Sequence, residues 1–270
     1  MNKMMTAMAA MTLAMGLAAC AEENAETTAT ASESGSLAGT WKADVASAQA
    51  ENDVDSYVFA DGTYTCNSCK PAFSITANGE WQEVDRPGVD ALKVAMVDDM
   101  TISSASRRGD KQLGESTWTV SEDGQTMTIA WTNMDGEETT EGTTVLQRTA
   151  AGPDGSHAAS GDWELKEIGP MSDAALTFSY EIDGDTIISK GNSGGYTAVL
   201  GGDAVTPEDD ETGGVVKVEK TGENTYRETY MRDGEVINVL DLTVEGDTLK
   251  GVSTDPRDDS VFRWTATRQS

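Results

Sequence analysis

Residues 117–131 read TWTVSEDGQTMTIAW. Trp118 and Val120 fall on one face of an extended segment, and Ser121-Glu122-Asp123-Gly124 supplies a turn. Met127, Ile129 and Trp131 then share one face of the returning segment while Thr126 and Thr128 face away. Period-two alternation around an Asp-Gly turn is the signature of a β-hairpin. The same pattern recurs further along the chain. Phe178, Tyr180 and Ile182 alternate before IDGD, Tyr226, Glu228 and Tyr230 before RDGE, and Leu240, Leu242 and Val244 before EGD. No long stretch carries helical periodicity. The expected class is all-β, with antiparallel sheets curled into small barrels or sandwiches.

Repeats set the number of units. Gly39-Thr40-Trp41-Lys42 and Gly161-Asp162-Trp163-Glu164 share a G-x-W core. Downstream of each, in the same order and at spacings that agree within two residues, come a T-V turn (Thr119-Val120 and Thr243-Val244) and a closing basic residue (Arg148 and Arg268). Three landmarks in register indicate a duplicated domain. The segment AAGPDGSHAAS, rich in small residues, reads as a linker. The expected units are a first barrel over 37–149, a linker over 150–159 and a second barrel over 160–270.

The N-terminus is of another kind. MNKMMTAMAAMTLAMGLAAC has one positive residue, Lys3, an uncharged stretch of Met, Ala and Leu, and small residues before Cys20. It is short for a membrane span and built like a secretory signal. Its end, Leu17-Ala18-Ala19-Cys20, resembles the lipobox of bacterial lipoproteins. That resemblance implies removal of residues 1–19, acylation of Cys20 and, with Ala21 rather than Asp following, an outer-membrane anchor facing the periplasm. Several acyl chains hold stably where one is marginal. The next stretch, to residue 36, lacks large apolar residues apart from its flanks and reads as a flexible tether.

With Cys20 taken by lipid, Cys66 and Cys69 in YTCNSCKP remain as a C-x-x-C pair in an oxidising compartment. A local disulfide staple is the first reading. A thioredoxin-like redox centre places such a pair at a helix start, whereas KPAFSITANGEW alternates like strand. Zinc needs three or four ligands, and the only histidine, His157, lies in the expected linker. No metal or cofactor is expected.

The chain has 19 Lys plus Arg against 47 Asp plus Glu, a formal net charge of −28. Phosphate neutralisation needs a basic surface, so nucleic acid is an unsuitable partner. The acidic runs 207–211 and 255–259 do not follow a calcium-loop pattern and read as solvated loops. No G-x-S-x-G, H-E-x-x-H or phosphate-cradling loop occurs, and Gly191–Tyr196 reads as a long hairpin loop.

An opening G-x-W, a run of short hairpins and a late basic residue together resemble the lipocalin-like domain in outline. The stretch from Tyr64 to Asp99, with TVSEDGQTMTI after it, also looks like a domain of unsettled activity recurrent in bacterial secreted proteins. In lipocalins the tryptophan plugs the closed end of the barrel and the late arginine packs across its ring. The resemblance therefore implies plugs made by Trp41 with Arg148 and by Trp163 with Arg268. Function then divides into two classes. One is a non-enzymatic, lipid-anchored envelope protein holding a small apolar ligand or an envelope partner. Its candidate lining residues are Trp118, Met127, Ile129 and Trp131 in the first unit and Leu240, Leu242 and Phe262 in the second, all of which also suit plain core packing. The other is a periplasmic thiol-disulfide enzyme using Cys66 and Cys69. A purely structural or inhibitory envelope lipoprotein is a variant of the first class.

Overall fold

The computed structural model describes residues 35–270. Cys20, the expected signal segment 1–19 and nearly all of the expected tether 20–36 lie outside the described residues. The rest is all-β: nineteen strands and a single helical turn, Asp173–Leu176, among the described residues. The strands are β1 (Gly39–Glu51), β2 (Val54–Ala60), β3 (Thr63–Cys66), β4 (Phe73–Thr76), β5 (Asn78–Arg86), β6 (Val89–Asp98), β7 (Thr101–Arg108), β8 (Lys111–Val120), β9 (Thr126–Asn133) and β10 (Thr140–Ala151). There follow β11 (Gly161–Met171), β12 (Thr177–Asp183), β13 (Thr186–Gly191), β14 (Gly194–Val199), β15 (Gly214–Lys220), β16 (Thr225–Arg232), β17 (Glu235–Glu245), β18 (Thr248–Asp255) and β19 (Ser260–Arg268).

They form two nearly closed antiparallel barrels. The first, barrel A, has ten strands in the order β4-β3-β2-β11-β10-β9-β8-β7-β6-β5. The second, barrel B, has nine in the order β14-β13-β12-β1-β19-β18-β17-β16-β15. The β8–β9 hairpin forms around Ser121–Gln125 as its alternation requires, with Trp118 opposite Ile129 and Val120 opposite Met127. Barrel B's free edges are bridged by the chain after β14, where Gly201 N–H donates to Val218 O and Val205 pairs with Val216. Barrel A's seam is covered by side chains, with Phe73 and Ile75 packed on Val89, Leu92 and Leu113.

The boundary read from the sequence does not divide the sheets. β1, which carries Trp41, pairs with β12 and β19 and so belongs to barrel B. β11, which carries Trp163, pairs with β2 and β10 and belongs to barrel A. Barrel A is thus one continuous stretch of chain from β2 to β11, while barrel B joins β1 to everything after residue 176. The units 37–149 and 160–270 exchange their first strands. Two copies of one motif offer two equivalent acceptors, and local pattern cannot choose between them.

The expected linker is also part of barrel A. Ala150 and Ala151 extend β10, Ala159 and Ser160 are buried, and His157 N–H donates to Phe59 O. Small residues let a chain close over a barrel end as readily as they make a loose connection. Gly191–Tyr196 is likewise tighter than expected, since only Asn192 and Ser193 separate β13 from β14.

Polar contacts join the barrels. Lys70 of barrel A pairs with Asp255 and Asp258 of barrel B at 2.9 and 2.7 Å. Asn192 exchanges hydrogen bonds with the backbone of Glu137 and Glu138. Lys42 reaches Asp173 at 2.9 Å.

Candidate functional site

The four plug residues are where the G-x-W pattern leads, but in the opposite pairing. Arg268 lies over the Trp41 ring at 4.1 Å and Arg148 over the Trp163 ring at 4.0 Å. Both indoles are fully buried, and each donates its N–H to the carbonyl four residues upstream, Leu37 or Ala159. Each guanidinium donates to the carbonyls three and five residues before its tryptophan: Ala38 and Ser36 for Arg268, Ser160 and Ala158 for Arg148. The glycine of G-x-W has a steric reason. Gly39 and Gly161 sit at φ of 138° and 130°, and a Cβ there would lie 2.5 or 2.6 Å from the arginine's terminal nitrogen. Only glycine admits both the backbone angle and the close approach. Burial holds the Arg148 pKa below its ordinary value.

The interiors differ. In barrel A, Trp118, Met127 and Ile129 join Tyr57, Phe59 and Tyr64 in one packed cluster. Ring centroids lie 5.0 Å apart for Tyr57–Trp118 and 4.7 Å for Phe59–Tyr64. Trp131 is half-buried at the margin of that cluster. In barrel B, Leu240 and Leu242 pack in the core, and Phe262 is buried opposite Ala50 and Ser253. Trp118, Met127, Ile129, Leu240 and Leu242 are thus packed among core side chains, while Trp131 also borders the outer trough described below.

Barrel B also buries a carboxylate. Glu228 is 1% exposed, and it accepts hydrogen bonds from Tyr180 and Tyr196 at 2.7 Å on one oxygen and from Tyr230 at 2.5 Å on the other. Burial raises the Glu228 pKa, against the lowering effect of the three hydroxyls. Burial likewise raises the tyrosines, reinforced by the carboxylate beside them. Alternation in TYRETYMR turns Glu228 inward with Tyr226 and Tyr230. Tyr180 and Tyr196 arrive from β12 and β14, which no local pattern ties to β16.

Cys66 and Cys69 form a disulfide. Cys66 ends β3 and is 1% exposed, and the next regular element is the strand β4. The loop between them is tied to β2 through Asn67 N–H on Ser56 O and Ser56 N–H on Ser68 Oγ. The acidic run 255–259 is partly committed to ion pairs, with Arg257 and Lys70 on Asp255. Asp210, in the other acidic run, accepts from Thr212 and the Gly214 N–H.

A concave feature lies on the outside of barrel A. Cross-strand register aligns Trp81, Lys93, Ala105, Glu115, Thr132 and Glu141 in one row across β5 to β10. A neighbouring row runs Ser103, Thr117, Ala130, Thr143. Both rows are out of phase with the buried Ile102, Trp118 and Ile129, so they face away from the core. Together with Pro170, Met171 and Ser172 they line an open trough of about 820 Å³. Crossing from β5 to β11, it spans six inter-strand gaps, about 29 Å along the sheet at roughly 4.8 Å each. Arg107 stacks over Trp81 at one end, 4.7 Å from the ring. Of its lining residues the sequence singled out only Trp131, and that for a barrel interior, because outward Thr and Ser read as ordinary solvated positions. The available signal was their recurrence on successive strands. No family model, no curated protein and no solved structure matches the chain.

Proposed function

We propose that the protein is a non-enzymatic binding module of the bacterial cell envelope, a lipocalin-like pair of barrels held by lipid on Cys20. It binds a linear, hydroxyl-rich ligand of saccharide type in the outer trough of barrel A. The trough itself carries this reading. Its lining crosses β5 to β11, includes Ser103, Thr117, Thr132 and Thr143, and has Trp81 at the β5 end. Convergent hydroxyls and carboxylates hydrogen-bond sugar hydroxyls, and an aromatic ring packs on a sugar's C–H face. Glu115, Glu141 and the net charge of −28 disfavour an anionic chain. The packed interiors favour an external site over an apolar ligand inside a barrel. Burial of Cys66 favours the staple over thiol-disulfide exchange, which needs an accessible sulfur.

The test is calorimetric titration with a neutral hexasaccharide of N-acetylated amino sugars and with its non-acetylated glucose counterpart. At least one should bind saturably, and Trp81→Ala or Thr117→Lys should weaken it about tenfold or more, a loss of roughly 1.4 kcal/mol. Failure of both sugars to bind, or binding untouched by both substitutions, overturns the reading.

A further inference from the structure

We propose that barrel B accepts β1 from a second copy of the same chain, giving a reciprocal dimer in which only the first strand is traded. The structure already contains one exchange between repeats, and three features make a second one available.

The first is the modularity of the plug. Trp41 and Trp163 make the same hydrogen bonds to the same relative carbonyls and take the same arginine at 4.1 and 4.0 Å. The acceptor therefore recognises a G-x-W strand and is indifferent to how that strand is connected. The second is the independence of barrel A, whose strands are continuous from β2 to β11, so β1 can leave without opening it. The third is the hinge. Only Asn52 and Asp53 separate β1 from β2, and Asn52 takes φ 55°, the left-handed turn that asparagine adopts readily. Extending that pair joins β1 and β2 into one long strand and carries β1 away from its own barrel B. Short hinges between an exchangeable strand and the rest of the chain are where strand exchange between copies starts.

Bonding within the dimer equals that within the monomer at every position except the hinge. Concentration and the history of unfolding therefore set the ratio of the two forms. The positions Lys42 and Thr267 face one another across β1 and β19, and both are at the surface or half-buried. In the full chain carrying Cys20→Ser, one preparation receives Lys42→Cys and another Thr267→Cys. The two are unfolded with the native disulfide intact, mixed, refolded at high concentration and oxidised. The expected product is a covalent heterodimer joined through these two positions, its yield rising with concentration and with Asp53→Pro, which favours an extended hinge. The double variant Lys42→Cys/Thr267→Cys, refolded dilute, should close within one chain and so verify the geometry. Efficient closure within the double variant, with no heterodimer from the mixed singles at any concentration, overturns the proposal. So does a heterodimer that forms equally well when the two folded preparations are mixed without unfolding, because that is surface collision.

Discussion

Barrels A and B carry the same tryptophan–arginine stack and fill their interiors differently. Cross-strand register makes the comparison direct. On β7, Ile102 and Ser104 face Trp118 and Ser116 of β8; on β16, Tyr226 and Glu228 face Leu242 and Leu240 of β17. Trp118 and Leu242 each stand two residues before the matched Val120 and Val244. Barrel A thus puts a small hydroxyl where barrel B puts a carboxylate, and fills its remaining space with the Tyr57, Phe59, Tyr64 and Trp118 rings. Barrel B keeps Glu228 and surrounds it with three tyrosine hydroxyls. Aromatic packing is forgiving of small shifts, whereas a buried carboxylate tolerates only the arrangement that satisfies it. The discontinuous barrel therefore carries the more demanding interior. We read that as its means of fixing the register of β12, β14 and β16 around a strand supplied from far away in the chain.

The largest expected effect breaks the comparison at the plugs. Trp41→Ala and Trp163→Ala should each cost about 3–5 kcal/mol, the range for truncating a buried aromatic. Hydrogen exchange should place the damage crosswise: Trp41→Ala should expose amides of β12 and β19, and Trp163→Ala those of β2 and β10. Loss of protection in β2 and β10 on changing Trp41 would mean that the strands are not exchanged in solution.

An intermediate effect concerns Glu228. Its folded pKa is raised, so its contribution to stability is fully present below the ordinary carboxylate range and is lost as pH rises through the folded value. Asp255 behaves oppositely. Burial raises its pKa, but hydrogen bonds from Arg257 and Lys70 outweigh this and leave it lowered, so its contribution is present above the ordinary carboxylate range and lost on acidification. Urea melts of wild type and Glu228→Gln across pH should show the wild-type advantage shrinking as pH rises. An advantage that grows with pH contradicts the assignment. Glu228→Leu should be worse than Gln at every pH, by about 1–3 kcal/mol, because three buried hydroxyls lose their acceptor.

The smallest effect sharpens the view of barrel A. Replacing Cys66 and Cys69 with Ser should cost at most about 2 kcal/mol, since the closed loop is so short. Saccharide binding should be unchanged. A larger loss, or altered binding, would give the staple a part in shaping the trough.

The fold class was legible because alternation is a local property: residues 117–131 specify their hairpin without reference to the rest of the chain. The plug residues were legible too, each tryptophan being marked by its glycine and each arginine by its place near the end of a repeat. Their pairing was not, because Trp41 finds chemically equivalent partners at Arg148 and Arg268. Glu228 could be turned inward from its neighbours alone, but the two tyrosines from β12 and β14 depend on the closure of the barrel. The trough depends on the register of seven strands at once, and its residues carry no mark individually.

The position of β1 sets an order of events during synthesis. It leaves the ribosome before every other described strand, yet Arg268, which donates to Ala38 across 230 positions, belongs to the last of them, β19. At about 5–20 residues per second the strand waits roughly 10–50 s for its place. Barrel A's slot beside β2 and β10 is made sooner, and β11 follows β10 within a few seconds at about that rate. The finished arrangement therefore requires that Trp163 take the place over Arg148 ahead of the earlier-made Trp41.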